Sequence, residues 1–292
     1  MKAGFVTVYG KANAGKSTLV NAILKTKIEA VSERPQTTRE NVLGIYNDAD
    51  SQIAFIDTPG IFAPHAKLGS TLLREAERAR TSGDVLLFVF AADEGIDKDL
   101  VAKVAASKVP VVIAYNKIDT IRADEGENKL IKLRKILPGA QVVRMSAKEG
   151  FGIDDLLKVL KELLPEGDKM YPDDIISDRP KEFVYSEFIR EKCMRLLHDE
   201  VPHSIYVDLK AVEDEPEGIS IRADILVERE SEKAIVIGNN GKMIAQISKF
   251  SEDAIQGFAK KPVFVRLLVK VVPDWRNDTA FLKSHGLSGK ED

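Results

Sequence analysis

The chain has 292 residues, 44% of them hydrophobic and 30% charged, with a formal net charge of −3. This length and balance suit a soluble protein of two domains and exclude a chain whose whole surface binds nucleic acid by charge. The single cysteine, Cys193, excludes an intrachain disulfide; strand-like sequence by Gly4 and a longest apolar run of only 85–92 leave no signal peptide or membrane span, so the expected location is cytoplasmic.

Apolar runs predict strands over 4–9, 41–46, 52–56, 85–90, 110–115 and 141–145. Helical spacing predicts helices over 17–24, 68–80, 100–107, 130–137 and 153–164. Alternating β and α with near-continuous apolar strands means a mostly parallel six-stranded sheet covered on both faces. Only 41–46 and 52–56, joined by the turn Asn47-Asp48-Ala49-Asp50-Ser51, should pair antiparallel at an edge. Prolines, glycine and acid over 164–174 mark a linker. A second unit follows, with a helix over 181–198, strands over 204–212 and 218–227, helices flanking Gly238 and Gly241, and a strand over 262–272. That α-β-β-α-α-β order predicts an α+β domain, and the expected division is 1–166, a linker 167–181, and 182–292. Charge is divided within this unit: 6 Lys/Arg against 14 Asp/Glu over 182–232, then 9 against 4 over 233–283. The basic half suggests a face for an anionic partner.

Residues Gly10-Lys11-Ala12-Asn13-Ala14-Gly15-Lys16-Ser17-Thr18 form a G-x-x-x-x-G-K-[ST] phosphate loop directly after the first strand. Its glycines let backbone N–H groups turn inward around phosphate oxygens, and the next helix presents its positive end. Lys16 supplies charge to the β- and γ-phosphates, and the Ser17 hydroxyl is the expected Mg²⁺ ligand. Asp57-Thr58-Pro59-Gly60 ends another strand; Asp57 should hold Mg²⁺ through water, and the Gly60 N–H should meet the γ-phosphate. Asn116-Lys117-Ile118-Asp119 specifies guanine, because the Asp119 carboxylate can accept from both the guanine N1–H and the 2-amino group, donors adenine lacks. The Lys117 stem would lie over the base and Asn116 would tie this loop to the phosphate loop. Ser146-Ala147-Lys148 would offer the Ala147 N–H to the guanine 6-oxygen. Arg34-Pro35-Gln36-Thr37-Thr38-Arg39-Glu40 reads as a switch segment, with Thr38 favoured over Thr37 to complete the Mg²⁺ shell when GTP is bound. The expected activity is hydrolysis of GTP to GDP, with Asn13, Lys16, Thr38 and Gly60 around the reacting phosphate.

With these motifs, the Gln36-Thr37-Thr38-Arg39 switch, the 164–180 linker, and Glu187, Ile189, Arg190, Glu191 and Lys192, the chain resembles the Era family of ribosome-assembly GTPases. Ile237-Gly238-Asn239-Asn240-Gly241-Lys242-Met243 is similar to the GxxG element of a type II KH RNA-binding domain, and Trp275 and the 281–287 tail also fit. The glycines would let an RNA backbone approach a helix start. The resemblance implies a monomeric GTP/GDP- and Mg²⁺-dependent switch in which 237–243 binds the single-stranded 3′ region of 16S rRNA. It implies the 30S subunit as partner and allows peripheral contact with the inner face of the cell membrane. Two departures stand out. Ala12 and Ala14 replace the family's usual proline and valine, and the GxxG loop carries Asn239 and Asn240 where the family usually places a lysine. Ile61 stands where Ras-like enzymes carry a water-orienting glutamine, so intrinsic hydrolysis should be slow. Similarity to potassium-assisted GTPases implies a K⁺ site at Asn13. Other function classes also fit the residues: an RNA chaperone with a near-silent GTPase, and a membrane- or division-linked signalling GTPase.

Overall fold

The computed structural model describes residues 1–31, 39, 41–61 and 66–287. Its contacts divide it into two compact units.

In the first unit the apolar runs become strands and the amphipathic stretches pack on them. The order is β1 (Lys2–Tyr9), α1 (Lys16–Leu24), β2 (Val42–Asn47), β3 (Ser51–Asp57), α2 (Lys67–Ala79), β4 (Val85–Ala91), α3 (Lys98–Ala105), β5 (Val111–Asn116), α4 (Ala123–Ile136), β6 (Gln141–Arg144) and α5 (Ile153–Leu163). The sheet order is β2-β3-β1-β4-β5-β6, parallel throughout except for the β2–β3 hairpin. β4 lies at the centre with every residue buried, which is why its sequence is a continuous apolar run. The hairpin turns on Asp48, whose carboxylate accepts from Asp50 N at 3.0 Å, Ser51 N at 2.8 Å and Ser51 Oγ at 2.9 Å. Burial opposes the charge on Asp48, but Lys161 and the turn donors outweigh it and hold its carboxyl well below the usual range.

The open edge of β2 is covered by the stretch expected as a linker. Ile45 N donates to Ile176 O at 2.9 Å and Leu43 N to Asp178 Oδ1 at 3.1 Å. Fully buried Gln52 holds the same stretch, donating to Tyr171 O at 2.8 Å and accepting from Met170 N and Tyr171 N at 2.6 and 2.9 Å. The first unit accordingly runs to Asp178.

The second unit contains α6 (Lys181–Leu196), α7 (Val201–Ser204), β7 (Tyr206–Glu215), β8 (Gly218–Val227), α8 (Glu230–Ile237), α9 (Lys242–Ala259), β9 (Val263–Val271) and α10 (Thr279–Ser284). Its sheet is β7-β8-β9, with β7 antiparallel and β9 parallel to β8. Phe188, Ile189 and Cys193 of α6 pack with Ile247 and Ile255 of α9 over the buried face of this sheet. Burial pushes the Cys193 thiol up to about 12, which marks it as a packing residue. Trp275 is fully buried and donates its indole N–H to Ser204 O at 2.8 Å.

Two stretches from earlier in the chain group with this unit. Ala30 N donates to Glu187 Oε2 at 3.3 Å, and Val31 N to Glu191 Oε2 at 3.1 Å. Lys27 pairs with the fully buried Glu191 and lies 5.3 Å from the Phe188 ring centroid. The start of α2 is bonded likewise, Lys67 N to Asn277 Oδ1 at 3.0 Å and Leu68 N to Arg276 O at 3.1 Å.

Candidate functional site

The C-terminal ends of β1, β3, β5 and β6 bring the four motifs of the first unit together. The phosphate loop leaves β1 at Tyr9 and enters α1 at Lys16, with Gly15 as the helix N-cap in the left-handed region at φ 96°. A Cβ on Gly15 would stand 2.3 Å from Asn116 Nδ2, so only glycine admits the asparagine here. Asn116 is 2% exposed and joins two loops: Nδ2 donates to Ala14 O at 2.9 Å, and Oδ1 accepts from Ala147 N at 2.9 Å. The tie expected of Asn116 is present. The Ala147 N–H, read from sequence as a guanine donor, is given to Asn116 in this structure.

Lys16 is buried and folds back onto its own loop, donating to Gly10 O at 3.2 Å and Lys11 O at 2.9 Å. Those carbonyls hold the ammonium at the centre of the loop. Ser17 Oγ donates to Asp57 Oδ2 at 2.6 Å, and Asp57 is fully buried. A hydroxyl and a carboxylate converging on one point give the hard-oxygen donor set that suits Mg²⁺. Thr18 lies in the first turn of α1, half-buried. Thr58 Oγ1 donates to Val8 O at 2.7 Å, fixing the loop after β3, and Gly60 is packed so closely that a Cβ would lie 2.5 Å from Ala12 Cα. Ile61 N donates to Gly10 O and Ala12 N to Ile61 O, both at 3.1 Å, so the two phosphate-side loops are hydrogen-bonded to each other. Asn13 is exposed at φ 64° on the tip of the phosphate loop. Thr37 and Thr38 lie outside the described residues.

On the base side, Lys117 takes φ 61° and Asp119 follows on a short 3₁₀ turn, Ile118–Thr120, exposed and with no hydrogen-bond donor among the described residues. Ser146 pairs with Phe151, and Glu149 N donates to its Oγ at 3.2 Å, which folds the loop carrying Ala147 and exposed Lys148. The sequence carries no signal for an acidic loop that the fold also brings here, 91–97. Asp93 lies 3.2 and 3.5 Å from Lys117 Nζ, Asp97 lies 3.4 Å from Lys11 Nζ, and Glu94 Oε1 accepts from Ala91 N at 3.1 Å. Burial raises the Glu94 carboxyl above its ordinary value. Asp-x-x-x-Asp after a buried strand carries no motif, so only the fold could place it here.

In the second unit, Gly238 at φ 72°, Asn240 at φ 51° and Gly241 at φ 74° turn the chain sharply between α8 and α9. A Cβ on Gly238 would sit 2.6 Å from Met243 Cβ, whereas Gly241 faces open space. Asn239, Asn240 and Lys242 are exposed, the start of α9 has no side-chain cap, and half-buried Ile237, Met243 and Ile244 lie beside it.

A parallel sheet ending in a phosphate loop, a buried Mg²⁺-type acid and a guanine-type Asn-Lys-x-Asp loop, followed by a three-stranded unit with a GxxG turn, defines a P-loop GTPase joined to a KH domain. The family described as 50S ribosome-binding GTPase matches residues 5–117, and the KH domain family matches residues 200–276. A variant of Aquifex aeolicus Era bound to GDP·AlF4⁻ is 35% identical over 99% of this chain and 100% of its own, with a TM-score of 0.93. Era in complex with MgGDPNP and nucleotides 1506–1542 of 16S ribosomal RNA matches at 35% identity over 99% of both chains, again with a TM-score of 0.93. The chain belongs to the Era family of GTPases. It binds GTP and GDP with Mg²⁺ and hydrolyses GTP.

Proposed function

We propose that this GTPase binds the single-stranded 3′ region of 16S rRNA through Ile237–Met243 and assists assembly of the small ribosomal subunit, with the 30S particle as its partner. The observation that carries the RNA reading is the turn at 238–241, where two positive-φ glycines bring an uncapped helix start to the surface beside Lys242. Such a turn lets a phosphodiester approach backbone amides, and adjacent apolar side chains can hold unstacked bases. The 16S fragment bound by the 35% identical relative supports this choice over the 50S named in the GTPase family description, because that relative spans 99% of the chain and the family only 5–117.

In the nucleotide cycle proposed here, Gly10, Ala14, Gly15, Lys16 and Thr18 cradle the phosphates, Ser17 and Asp57 hold Mg²⁺, and Asn116, Lys117, Asp119, Ser146, Ala147 and Lys148 enclose guanine. Mg²⁺ supplies positive charge to the phosphates when bound, and Lys16 adds to it as negative charge develops toward the leaving oxygen. For Lys16 to serve, its ammonium must exchange the Gly10 and Lys11 carbonyls for phosphate oxygens. Thr38 and the Gly60 amide report the γ-phosphate in this reading. Ile61 cannot orient water, and Asn13 would hold a K⁺ ion that would supply positive charge beside the phosphates. No helix among the described residues is long and apolar enough to cross a membrane; we place the protein's work in the cytoplasm.

The test uses a labelled single-stranded 16S 3′-end fragment and Gly241→Asp, which adds an acid in open space at φ 74°, a left-handed position aspartate tolerates better than most residues, where Gly238→Asp would clash with Met243; an unchanged melting temperature separates charge from strain. Wild-type binding that falls at least tenfold in the variant, with RNA-stimulated GTP turnover in KCl exceeding that in NaCl, supports the proposal. No binding by the wild type overturns the RNA reading. Vesicle co-sedimentation without RNA would favour the membrane-linked alternative.

A further inference from the structure

The acidic loop 91–97 belongs to none of the four nucleotide motifs, yet it touches two of them. Its backbone is fixed from both sides. Ala92 N donates to Asn116 O at 2.8 Å, Glu94 N to Ala91 O at 3.0 Å, and Lys129 Nζ of α4 to Ala92 O at 2.8 Å. Asp93 therefore projects from a braced turn, anchored to the same Asn116 that precedes Lys117. Lys117, by contrast, is a long side chain on a positive-φ residue at the start of a 3₁₀ turn. A flexible lysine must surrender rotamer freedom when a ligand orders it. With Asp93 3.2 Å from its ammonium, that ordering has already occurred before nucleotide arrives.

We infer that Asp93 is a positioning residue for guanine-nucleotide recognition: it holds the Lys117 ammonium so that the methylene stem is preset to cover the base. The inference rests on the assignment of Lys117 to the base site. The pair's side chains are 31% and 40% exposed, so its contribution to folding is small and its consequence falls on binding. Asp97 complements it on the phosphate side. Its carboxylate is pinned as the N-cap of α3, accepting from Asp99 N at 3.2 Å and Leu100 N at 3.1 Å, and from there it reaches Lys11.

The experiment measures GDP affinity and off-rate by displacement of a fluorescent GDP analogue, with steady-state GTP kinetics, on the full chain. Asp93→Asn should raise the GDP Kd about threefold to tenfold, mainly through the off-rate. The loss should fall on KM for GTP, with kcat moving much less and the melting temperature of the nucleotide-free protein holding steady. Asp93→Glu should recover part of the affinity. In a Lys117→Met background, Asp93→Asn should add nothing. A wild-type Kd in Asp93→Asn, tighter binding, or the same increase in the Lys117→Met background overturns the inference while leaving the base site intact. Unchanged GDP affinity in Lys117→Met itself removes the base-site assignment, and the inference with it.

Discussion

Asn116→Ala should damage the first unit twice, once in stability and once in nucleotide binding. The side chain is 2% exposed and satisfies Ala14 O and Ala147 N, each at 2.9 Å. Truncation leaves both groups buried without their partner, because Ala14 is 0% and Ala147 4% exposed. Each orphaned group costs about 1–3 kcal/mol, and a water entering the vacated amide volume brings the total to about 2–4 kcal/mol. For a unit of this size that is a melting shift of about 5–12 °C. The loops carrying Ala14 and Ala147 would then be ordered by the nucleotide instead of by the protein, which weakens GDP binding by about 30-fold or more. Calorimetry without nucleotide, following the first unit's transition, gives the stability term; displacement of a fluorescent GDP analogue gives the affinity. Asn116→Asp keeps an acceptor for Ala147 N but sets an oxygen against Ala14 O, so it should be no better than alanine. A first-unit transition within about 2 °C of wild type for Asn116→Ala would refute the claim that this one amide holds the two loops together.

Glu191→Ala should lower the second unit's melting temperature by about 10 °C, from a loss of about 2–3 kcal/mol, since the fully buried carboxylate serves Val31 N, Lys27, Lys192 and Arg195. An unchanged transition would show that the 27–31 stretch does not depend on α6. Burial opposes the Glu191 charge, but Lys27 outweighs it and holds its pKa below the ordinary value. Its contribution is therefore complete above the ordinary glutamate range and is lost as pH falls through the lowered value, a limb that Glu191→Gln should flatten in acid titrations. Glu94 has the opposite sign. Burial raises its pKa, so its contribution is complete below the ordinary glutamate value and is lost as pH rises through the raised one. Glu94→Gln should accordingly raise the melting temperature near neutral pH with the gain disappearing in acid, and a pH-independent difference would contradict the assignment.

Much of the first unit was legible because its chemistry is local. A phosphate loop needs its glycines, lysine and serine in one uninterrupted run after a strand, and the structure puts Gly10 to Gly15 between β1 and α1, with Lys16 and Ser17 opening the helix, as that run requires. Continuous apolar strands such as 85–91 announce burial on both faces, so the parallel sheet and its single antiparallel edge followed from pattern alone. The GxxG turn was legible for a related reason: three positive-φ positions within four residues, at Gly238, Asn240 and Gly241, favour glycine and Asx residues. Helix α4 begins at Ala123 instead of near 130, because its first turns are polar and carry little apolar periodicity.

Other features had no local signature. The proline- and acid-rich stretch after 164 lacks periodicity, and only the buried amide of Gln52 and the open edge of β2 turn it into part of the first unit. Residues 27–31 follow α1 in the chain yet group with the second unit, because Glu187 and Glu191 on α6 accept their backbone amides. Asp93 and Asp97 read as ordinary surface acids until β4 and β5 set their loop beside Lys117 and Lys11. Sequence by itself determined the reaction class, the guanine-type loop and the two-unit fold, since each depends on residue types at fixed short spacings. Tertiary structure alone decided which amides, carboxylates and lysines meet across the chain, because those partners are chosen by strand order and burial and leave no periodicity to read.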